Sequence, residues 1–212
     1  MRHRVGLSRG ALRAIVGIVA SFACAVAAAA TFTAQPSAVQ SYLQDGGFET
    51  PNFAPNGWAY GTAGSVAWTS TSGGGIGANG SPWLDGAAPE GDQVGFVQGG
   101  VNASLSQSFS APAGRYRLTF QAAQRPDTSA QTLTVLVDGV QIGLVKPKST
   151  SFEPFVFDAL KLAATGSHTL TFQGTSTLGH SVAIDDVRFV SVTNTARLWS
   201  DPATWNQGSL LP

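Results

Sequence analysis

Cysteine and charge are both scarce in this 212-residue sequence. The only cysteine, Cys24, lies in an N-terminal segment that we expect to be removed. The remaining chain would therefore have no disulfide, no thiolate metal site and no cysteine nucleophile. Charged residues make up only 11% of the sequence, which predicts a surface rich in hydroxyl and amide groups. An exported domain without disulfides must rely on its core and, where one is present, on a bound ion.

Long apolar runs are also lacking, apart from the N-terminus, where residues 1–30 have the features of a secretory signal peptide. Arginines precede the apolar, small-residue stretch from Ala14 to Ala29, and Ala28-Ala29-Ala30 offers a cleavage pattern. A membrane anchor is the alternative, but the apolar run is short and rich in alanine for a span. We therefore expect a secreted or cell-surface protein whose mature chain has no membrane span.

Removal of residues 1–30 changes the charge balance of the chain. Four of the twelve Lys and Arg residues and none of the twelve Asp and Glu residues lie in that segment. Eight basic and twelve acidic residues remain, a net charge of −4. Binding of phosphates requires a basic patch, so a nucleic-acid partner is not expected.

Period-two alternation dominates the chain after a Thr-, Ala- and Ser-rich linker at residues 31–40. The segment Arg115 to Ala123 alternates apolar Tyr116, Leu118 and Phe120 with polar residues, which predicts a half-buried strand. Asp138-Gly139 between two apolar runs predicts a β-hairpin. The spacing of such segments predicts one all-β sandwich over residues 41–192, with about eight to ten antiparallel strands and no helix. We expect the glycine-rich stretch from Ser70 to Pro82 to be a surface loop.

Two acidic segments stand at opposite ends of the predicted sandwich. Asp185 and Asp186 interrupt an apolar run that otherwise resembles a buried strand, and Asp45 to Pro51 contains Glu49. A buried carboxylate without a partner costs several kcal/mol, so such groups usually pair or bind a metal. If the first and last strands lie side by side, these carboxylates would share a hard cation, most plausibly calcium. The alternative is that Asp185 and Asp186 face solvent at a strand end or bulge.

No constellation typical of an enzyme is present. The expected mature chain has two histidines, His168 and His180, neither beside a Ser or an acid in a nucleophile turn. A strand would direct Asp185 and Asp186 to opposite faces, which does not suit a shared scissile bond. We therefore expect a protein that is not an enzyme.

A set of short motifs, none specific alone, resembles a known family when taken in order. They are Gly46-Gly47-Phe48-Glu49, Gly57-Trp58, Pro89-Glu90-Gly91-Asp92-Gln93-Val94, Ala113-Gly114-x-Tyr116-x-Leu118-x-Phe120, Val137-Asp138-Gly139, Gly166-x-His168-x-Leu170-x-Phe172 and Ile184-Asp185-Asp186-Val187. Together they resemble the galactose-binding-like jelly roll of carbohydrate-binding modules. The resemblance implies a β-sandwich, non-catalytic glycan binding and a structural calcium ion. Its implied ligands are the Gly47 carbonyl, Glu49 and Asp185, with Asp186 as an alternative and Glu90 from a third segment.

Residues 193–212 differ in sequence pattern from the predicted sandwich and contain Trp199 and Trp205. The segment from Trp199 to Gly208 is similar to the opening of an extracellular domain named for its eight glycines. We expect a linker followed by the truncated start of that domain, which would make the sandwich an accessory module of a larger protein. A chance tryptophan-rich tail is the alternative.

Exposed aromatic rings and amide groups are the usual means of binding sugars. The candidates here are Tyr60 and Trp83, which flank the glycine-rich stretch, and Gln121 and Arg125 near a strand end. We expect Trp58 and Trp68 to be core residues. The competing interpretation is a structural or protein-binding (adhesin-type) spacer without glycan affinity, which should present a flat apolar patch rather than a groove of aromatics.

Overall fold

The computed structural model describes residues 40–192 except residues 63, 66, 101, 102, 130 and 177. The expected signal peptide, residues 31–39 of the expected linker and the segment 193–212 lie outside the described residues. Eleven strands are present: β1 (Trp58–Tyr60), β2 (Thr69–Ser70), β3 (Gly74–Ala78), β4 (Gln93–Gln98), β5 (Ser104–Ala111), β6 (Gly114–Gln124), β7 (Leu133–Val137), β8 (Val140–Val145), β9 (Glu153–Leu162), β10 (Gly166–Gly174) and β11 (Ser181–Ser191). No helix long and apolar enough to cross a bilayer occurs in the described part of the chain.

The strands form two antiparallel sheets. One has six strands in the order β1-β3-β4-β11-β6-β9, and the other has five in the order β2-β5-β10-β7-β8. This arrangement confirms the predicted all-β jelly-roll sandwich. The strand number exceeds the predicted eight to ten because short strands form in the segment between β1 and β4.

The main core lies between the sheets and follows the predicted alternation. Strand β6 buries Tyr116, Leu118 and Phe120 to 2% exposure or less, while Arg115 and Arg117 face solvent. Trp68 is also part of this core, as expected. Apolar burial of this kind contributes about 25 cal/mol for each Å² removed from water.

The N-terminal segment of the described chain runs beside the last strand. Tyr42 N donates to Phe189 O at 2.8 Å, and Val187 N donates to Gly46 O at 3.0 Å. The segment thereby extends the six-stranded sheet beyond the start of β4, which pairs with β11 only from Ser181 to Ile184. The prediction that the two ends of the domain lie side by side is confirmed.

The predicted hairpin is also confirmed. Asp138 and Gly139 connect β7 to β8 and both have positive φ, 52° and 75°. The Asp138 carboxylate accepts the backbone N–H of Thr169 at 2.9 Å and lies 2.7 Å from His168 Nδ1. The tip of the hairpin is therefore fastened to the neighbouring strand β10.

A second apolar cluster covers the outer face of the six-stranded sheet. Val94, Phe96 and Ala183 belong to it, whereas their neighbours Gly95 and Val97 face the main core. Trp83 and Leu84, from the segment between β3 and β4, pack on top. A sheet face that usually meets solvent is thus buried in this region.

The glycine-rich stretch is not the surface loop that we expected, because it contains strand β3, which is buried along its whole length. The absence of side chains is what permits this packing. A Cβ on Gly75 would lie 2.3 Å from Phe96 Cζ, and one on Gly77 would lie 2.9 Å from Trp83 Cδ1. The glycines therefore leave the space that the neighbouring aromatic rings fill.

We expect Gly75→Ala to destabilise the fold by about 1–3 kcal/mol because the added methyl group overpacks the cluster. The matched control is Gly114→Ala, where the nearest atom to the new Cβ is 3.4 Å away. Urea unfolding of both variants measures the effect. Equal unfolding free energies for the two variants would contradict this explanation of β3.

Candidate functional site

A three-layer stack forms the base of an aromatic cluster on the outer face of the six-stranded sheet. The indole of Trp83 lies parallel to the ring of Phe96, with 3.5 Å between centroids and 1° between planes. The Arg125 guanidinium covers the other face of the indole at 4.2 Å from its centroid. Arg125 is itself held by a 2.9 Å hydrogen bond from Nε to Pro82 O. Trp83 is thus enclosed on both faces.

Trp58 and Tyr60 present the exposed part of this cluster. They lie on edge strand β1, paired with Gly77 and Gly75, so their rings rise over β3 without obstruction. Each meets Trp83 edge to face, at 5.5 and 5.7 Å between centroids. Trp58 is 42% exposed and Tyr60 is 52% exposed. Two aromatic rings are therefore offered to solvent on a rigid base.

Two sequence-based expectations about exposure are wrong here. Trp83, expected to be exposed, is 1% exposed, while Trp58, expected in the core, lies at the surface. The reason is that the segment after β3 folds back over the sheet and places Trp83 between Phe96 and Arg125, against the rings of Trp58 and Tyr60. Sequence alternation within a single strand cannot indicate such a covering segment.

The four sugar-binding candidates are only partly brought together. Tyr60 and Arg125 both contact Trp83. Gln121 lies on β6, opposite Asp185 and Pro154, and strands β3, β4 and β11 separate it from β1. Gln121 is therefore not part of the aromatic cluster.

An open pocket of about 410 Å³ adjoins Tyr60 at the loop end of the sheet. Gln98, the last residue of β4, accepts a hydrogen bond from the Tyr60 hydroxyl through Oε1. Its Nε2 donates to Gly179 O at 3.4 Å. The sequence analysis did not select Gln98, because the pocket is assembled from segments far apart in the chain. The lining residues are Tyr60, Gly73, Gln98, Gly99, Gly100, Leu178 and Gly179.

A second site contains the predicted acidic residues. Asp185 is fully buried, with Oδ2 accepting the Glu90 backbone N–H at 2.8 Å and Oδ1 accepting that of Asp186 at 2.7 Å. Asp186 has a φ of 50° within a bulge between Asp185 and Arg188, and its carboxylate pairs with Arg188 Nε at 2.7 Å. The bulge that the alternative interpretation invoked is therefore present, but Asp185 does not face solvent as that interpretation required.

Glu90 and Glu49 converge on the same region from two other segments. A Cβ on Gly47 would lie 1.6 Å from Glu90 Oε2, so this carboxylate occupies the space that a side chain would need. Glu49 Oε1 accepts the backbone N–H groups of Asp92 and Gln93, both at 2.8 Å. A pocket of about 380 Å³ opens beside these groups, lined by Ser41, Leu43, Asp45, Gly46, Gly47, Glu49, Glu90, Asp186, Val187 and Arg188.

The buried carboxylate of Asp185 lacks a cationic partner. The three ion pairs among the described residues involve Asp158, Asp138 and Asp186, and none reaches Asp185. Burial raises the pKa of Asp185 to about 8; the hydrogen bonds from Glu90 N and Asp186 N oppose this rise, and the negative charges of Glu90 and Asp186 add to it. No group of three or more His, Cys, Asp or Glu side chains forms a metal-binding cluster in the described residues. The carboxylates of Asp185 and Glu90, supplemented by backbone carbonyls, nevertheless fit the oxygen chemistry that calcium requires.

Comparisons with known proteins give similarities of fold. No protein-family model and no curated protein matches this chain. One similar solved structure is TmCBM61 in complex with beta-1,4-galactotriose, at 22% identity and a TM-score of 0.48, covering 72% of this chain and 99% of that one. Another is the CBM22-1 xylan-binding domain from Paenibacillus barcinonensis Xyn10C, at 13% identity and a TM-score of 0.47, covering 61% and 89%. A third is the carbohydrate-binding module CBM36 in complex with calcium and xylotriose, at 14% identity and a TM-score of 0.40, covering 58% and 99%.

We expect the metal-free protein to lose stability as the pH rises from about 4 to about 8. The pKa of Asp185 is higher in the folded than in the unfolded protein, so the folded state binds the extra proton in this interval. The stabilisation is complete below the unfolded pKa and is lost as the pH passes the folded one. Urea unfolding in chelator measures the trend for the wild type and for Asp185→Asn, which removes this titration. A difference between the two proteins that does not vary with pH would contradict the assignment.

Proposed function

We propose that this protein is a non-catalytic carbohydrate-binding module whose binding surface is the aromatic cluster of Trp58 and Tyr60. One observation carries the proposal: two half-exposed aromatic rings contact a stack formed by the buried rings of Phe96 and Trp83 and the half-buried side chain of Arg125. Sugar rings present apolar C–H faces that pack on aromatic rings, while their hydroxyl groups need amide and backbone partners. Gln98, hydrogen-bonded to Tyr60, supplies such an amide beside the rings.

The rigidity of the surface supports binding of this kind. Both exposed rings contact Trp83 edge to face, and Tyr60 also contacts Phe96 at 5.6 Å. Rings that are fixed before the ligand arrives lose little conformational entropy on binding. The cluster therefore has the properties of a preformed recognition surface.

Binding rather than catalysis is proposed because both described histidines serve the local structure. The ring nitrogens of His168 lie 2.7 Å from Asp138 Oδ2 and 3.1 Å from Ala164 O, and the residue is buried. His180 Nδ1 is 3.4 Å from Ser176 Oγ, which also contacts Leu178 O. The 3.4 Å separation is longer than the hydrogen bond of an activated nucleophile and its base.

The wider setting of the module forms part of the same proposal. The features of residues 1–30 favour export, to the medium or the cell surface. The similarity of residues 199–208 to an extracellular domain favours an accessory role in a larger protein. A protein-binding spacer is the competing function. Its surface would be the exposed apolar residues of edge strands β8 and β9, which are Val140, Leu144 and Val156.

We expect Trp58→Ala and Tyr60→Ala each to weaken glycan binding by about tenfold or more, the equivalent of ~1.4 kcal/mol. The loss would follow from removal of a stacking surface. Affinity electrophoresis against a panel of soluble polysaccharides measures it. The matched control is Leu144→Ala, which removes a 59% exposed apolar side chain from β8 in the other sheet. The proposal fails if the folded wild type binds no polysaccharide, or if the control loses as much affinity as the two variants.

We also propose that a calcium ion stabilises the acidic site. Asp185 and Glu90 would hold it, with Glu49 through the Oε2 oxygen and with the Gly47 carbonyl as further donors. The support is that Asp185 is buried without a cationic partner and that Glu90 packs against Gly47 in the same region. A bound divalent cation would neutralise the carboxylates that the N-terminal segment, the segment before β4 and strand β11 bring together. Asp186 is the weaker alternative because Arg188 already pairs with it.

We expect calcium at one hundred times its dissociation constant to raise the free energy of unfolding by about 2.7 kcal/mol. Asp185→Asn and Glu90→Gln should abolish this gain because each removes a charged oxygen ligand. Asp127→Asn, on the loop after β6, is the control and should keep the gain. Urea unfolding with calcium and with chelator provides the comparison. Identical curves for the wild type in the two conditions would exclude the ion.

A further inference from the structure

We infer that the pocket between Tyr60 and the loop at Leu178–Gly179 is a subsite for an uncharged sugar residue, with Gln98 as its specificity-determining residue. This inference rests on the proposed glycan binding and adds the chemical class of the sugar. It concerns a pocket assembled from Gly73, the Gln98–Gly100 segment and the Leu178–Gly179 loop, beside the aromatic rings rather than beneath them.

The orientation of the Gln98 amide follows from its two partners. Gly179 O only accepts, so the amide nitrogen must face it, and Oε1 then accepts from the Tyr60 hydroxyl. One N–H and one oxygen lone pair remain for a ligand. Neighbouring sugar hydroxyls also donate and accept, so they match this pair. A carboxylate or sulfate group only accepts, and would leave the second lone pair of the Gln98 oxygen, the one that Tyr60 does not use, without a donor.

The residues that line the pocket carry no charge that would offset an anionic group. None of the seven is Lys, Arg, Asp or Glu, and His180, which follows Gly179, has its Nδ1 3.4 Å from Ser176 Oγ. Arg125, the cation of the aromatic cluster, lies over Trp83 with Nε donating to Pro82 O, and it does not line the pocket. Moving an anion out of water without a partner is unfavourable, whereas a neutral sugar carries no such penalty.

The shape of the pocket suits one or a few sugar rings. Its volume of about 410 Å³ lies within the usual range for small-ligand sites. Tyr60 on β1 and Leu178 on the loop before β11, which are 52% and 62% exposed, supply apolar surface on the two segments that Gln98 connects. A Cβ on Gly179 would meet no atom closer than Gln98 Nε2 at 3.9 Å, so glycine leaves this space open for a ligand.

The test uses neutral soluble polysaccharides (galactan, glucan and mannan) and the same polymers after oxidation of their primary hydroxyls to carboxylates. Isothermal titration of the full chain should show at least tenfold tighter binding of a neutral polymer than of its oxidised form. Gly179→Val, which fills the pocket, should weaken neutral binding by at least tenfold without lowering the unfolding midpoint. Gln98→Lys, which adds a cation, should raise the relative affinity for the oxidised form by a similar factor.

The outcomes separate this inference from the proposed function. If the wild type binds oxidised and neutral polymers equally, the inference is wrong and glycan binding stands. It is also wrong if Gly179→Val and Gln98→Lys both behave as the wild type while Trp58→Ala loses affinity. If the folded wild type binds neither polymer form, the proposed function fails, and the inference fails with it. If Gly179→Val is unstable, the relative affinity of Gln98→Lys for the oxidised and neutral polymers alone decides whether the inference holds.

Discussion

The packing of aromatic rings against a strand of glycines is the constraint on which the candidate site depends. Gly75 and Gly77 leave room for Phe96 and Trp83, and these rings in turn hold Trp58 and Tyr60 at the surface. A side chain at Gly75 or Gly77 would displace the stack and tilt the exposed rings. The glycines therefore determine the geometry of the candidate site.

The acidic site performs a different task, which is to join three segments that are distant in the sequence. Glu49 binds the backbone at the start of β4, and Asp185 binds the backbone at Glu90. Carboxylates thus accept backbone N–H donors while repelling one another, because in the described residues no Lys, Arg or His side chain forms an ion pair with Glu49, Glu90 or Asp185. Such a site combines strong local hydrogen bonds with repulsion between its carboxylates. A divalent cation would remove that repulsion.

Sequence analysis predicted the features that depend on local pattern. The alternation in β6 and the hairpin at Asp138-Gly139 follow from residues close together in the chain, whereas the burial of Asp185 was one of two alternatives that the sequence left open. Its predictions were wrong for β3, Trp58 and Trp83. There the segment after β3 covers the outer face of the six-stranded sheet, so that residues expected at the surface are buried and Trp58, expected in the core, is exposed. The pocket at Gln98 was also beyond its reach, since the segments that line it share no sequence pattern. These features are set by tertiary contacts rather than by local propensity.

The pairing of Tyr42 with Phe189 has a mechanical meaning. Ser41 also contacts this pair, since its hydroxyl accepts the backbone N–H of Phe189 at 3.1 Å. The chain therefore enters the sandwich beside the point where it leaves. A force applied through these two points would peel the hydrogen bonds of the N-terminal segment one after another instead of shearing a whole strand at once. While the pairing holds, the sandwich lies to the side of the line of tension, and its sheets stay folded as the flanking chain is stretched.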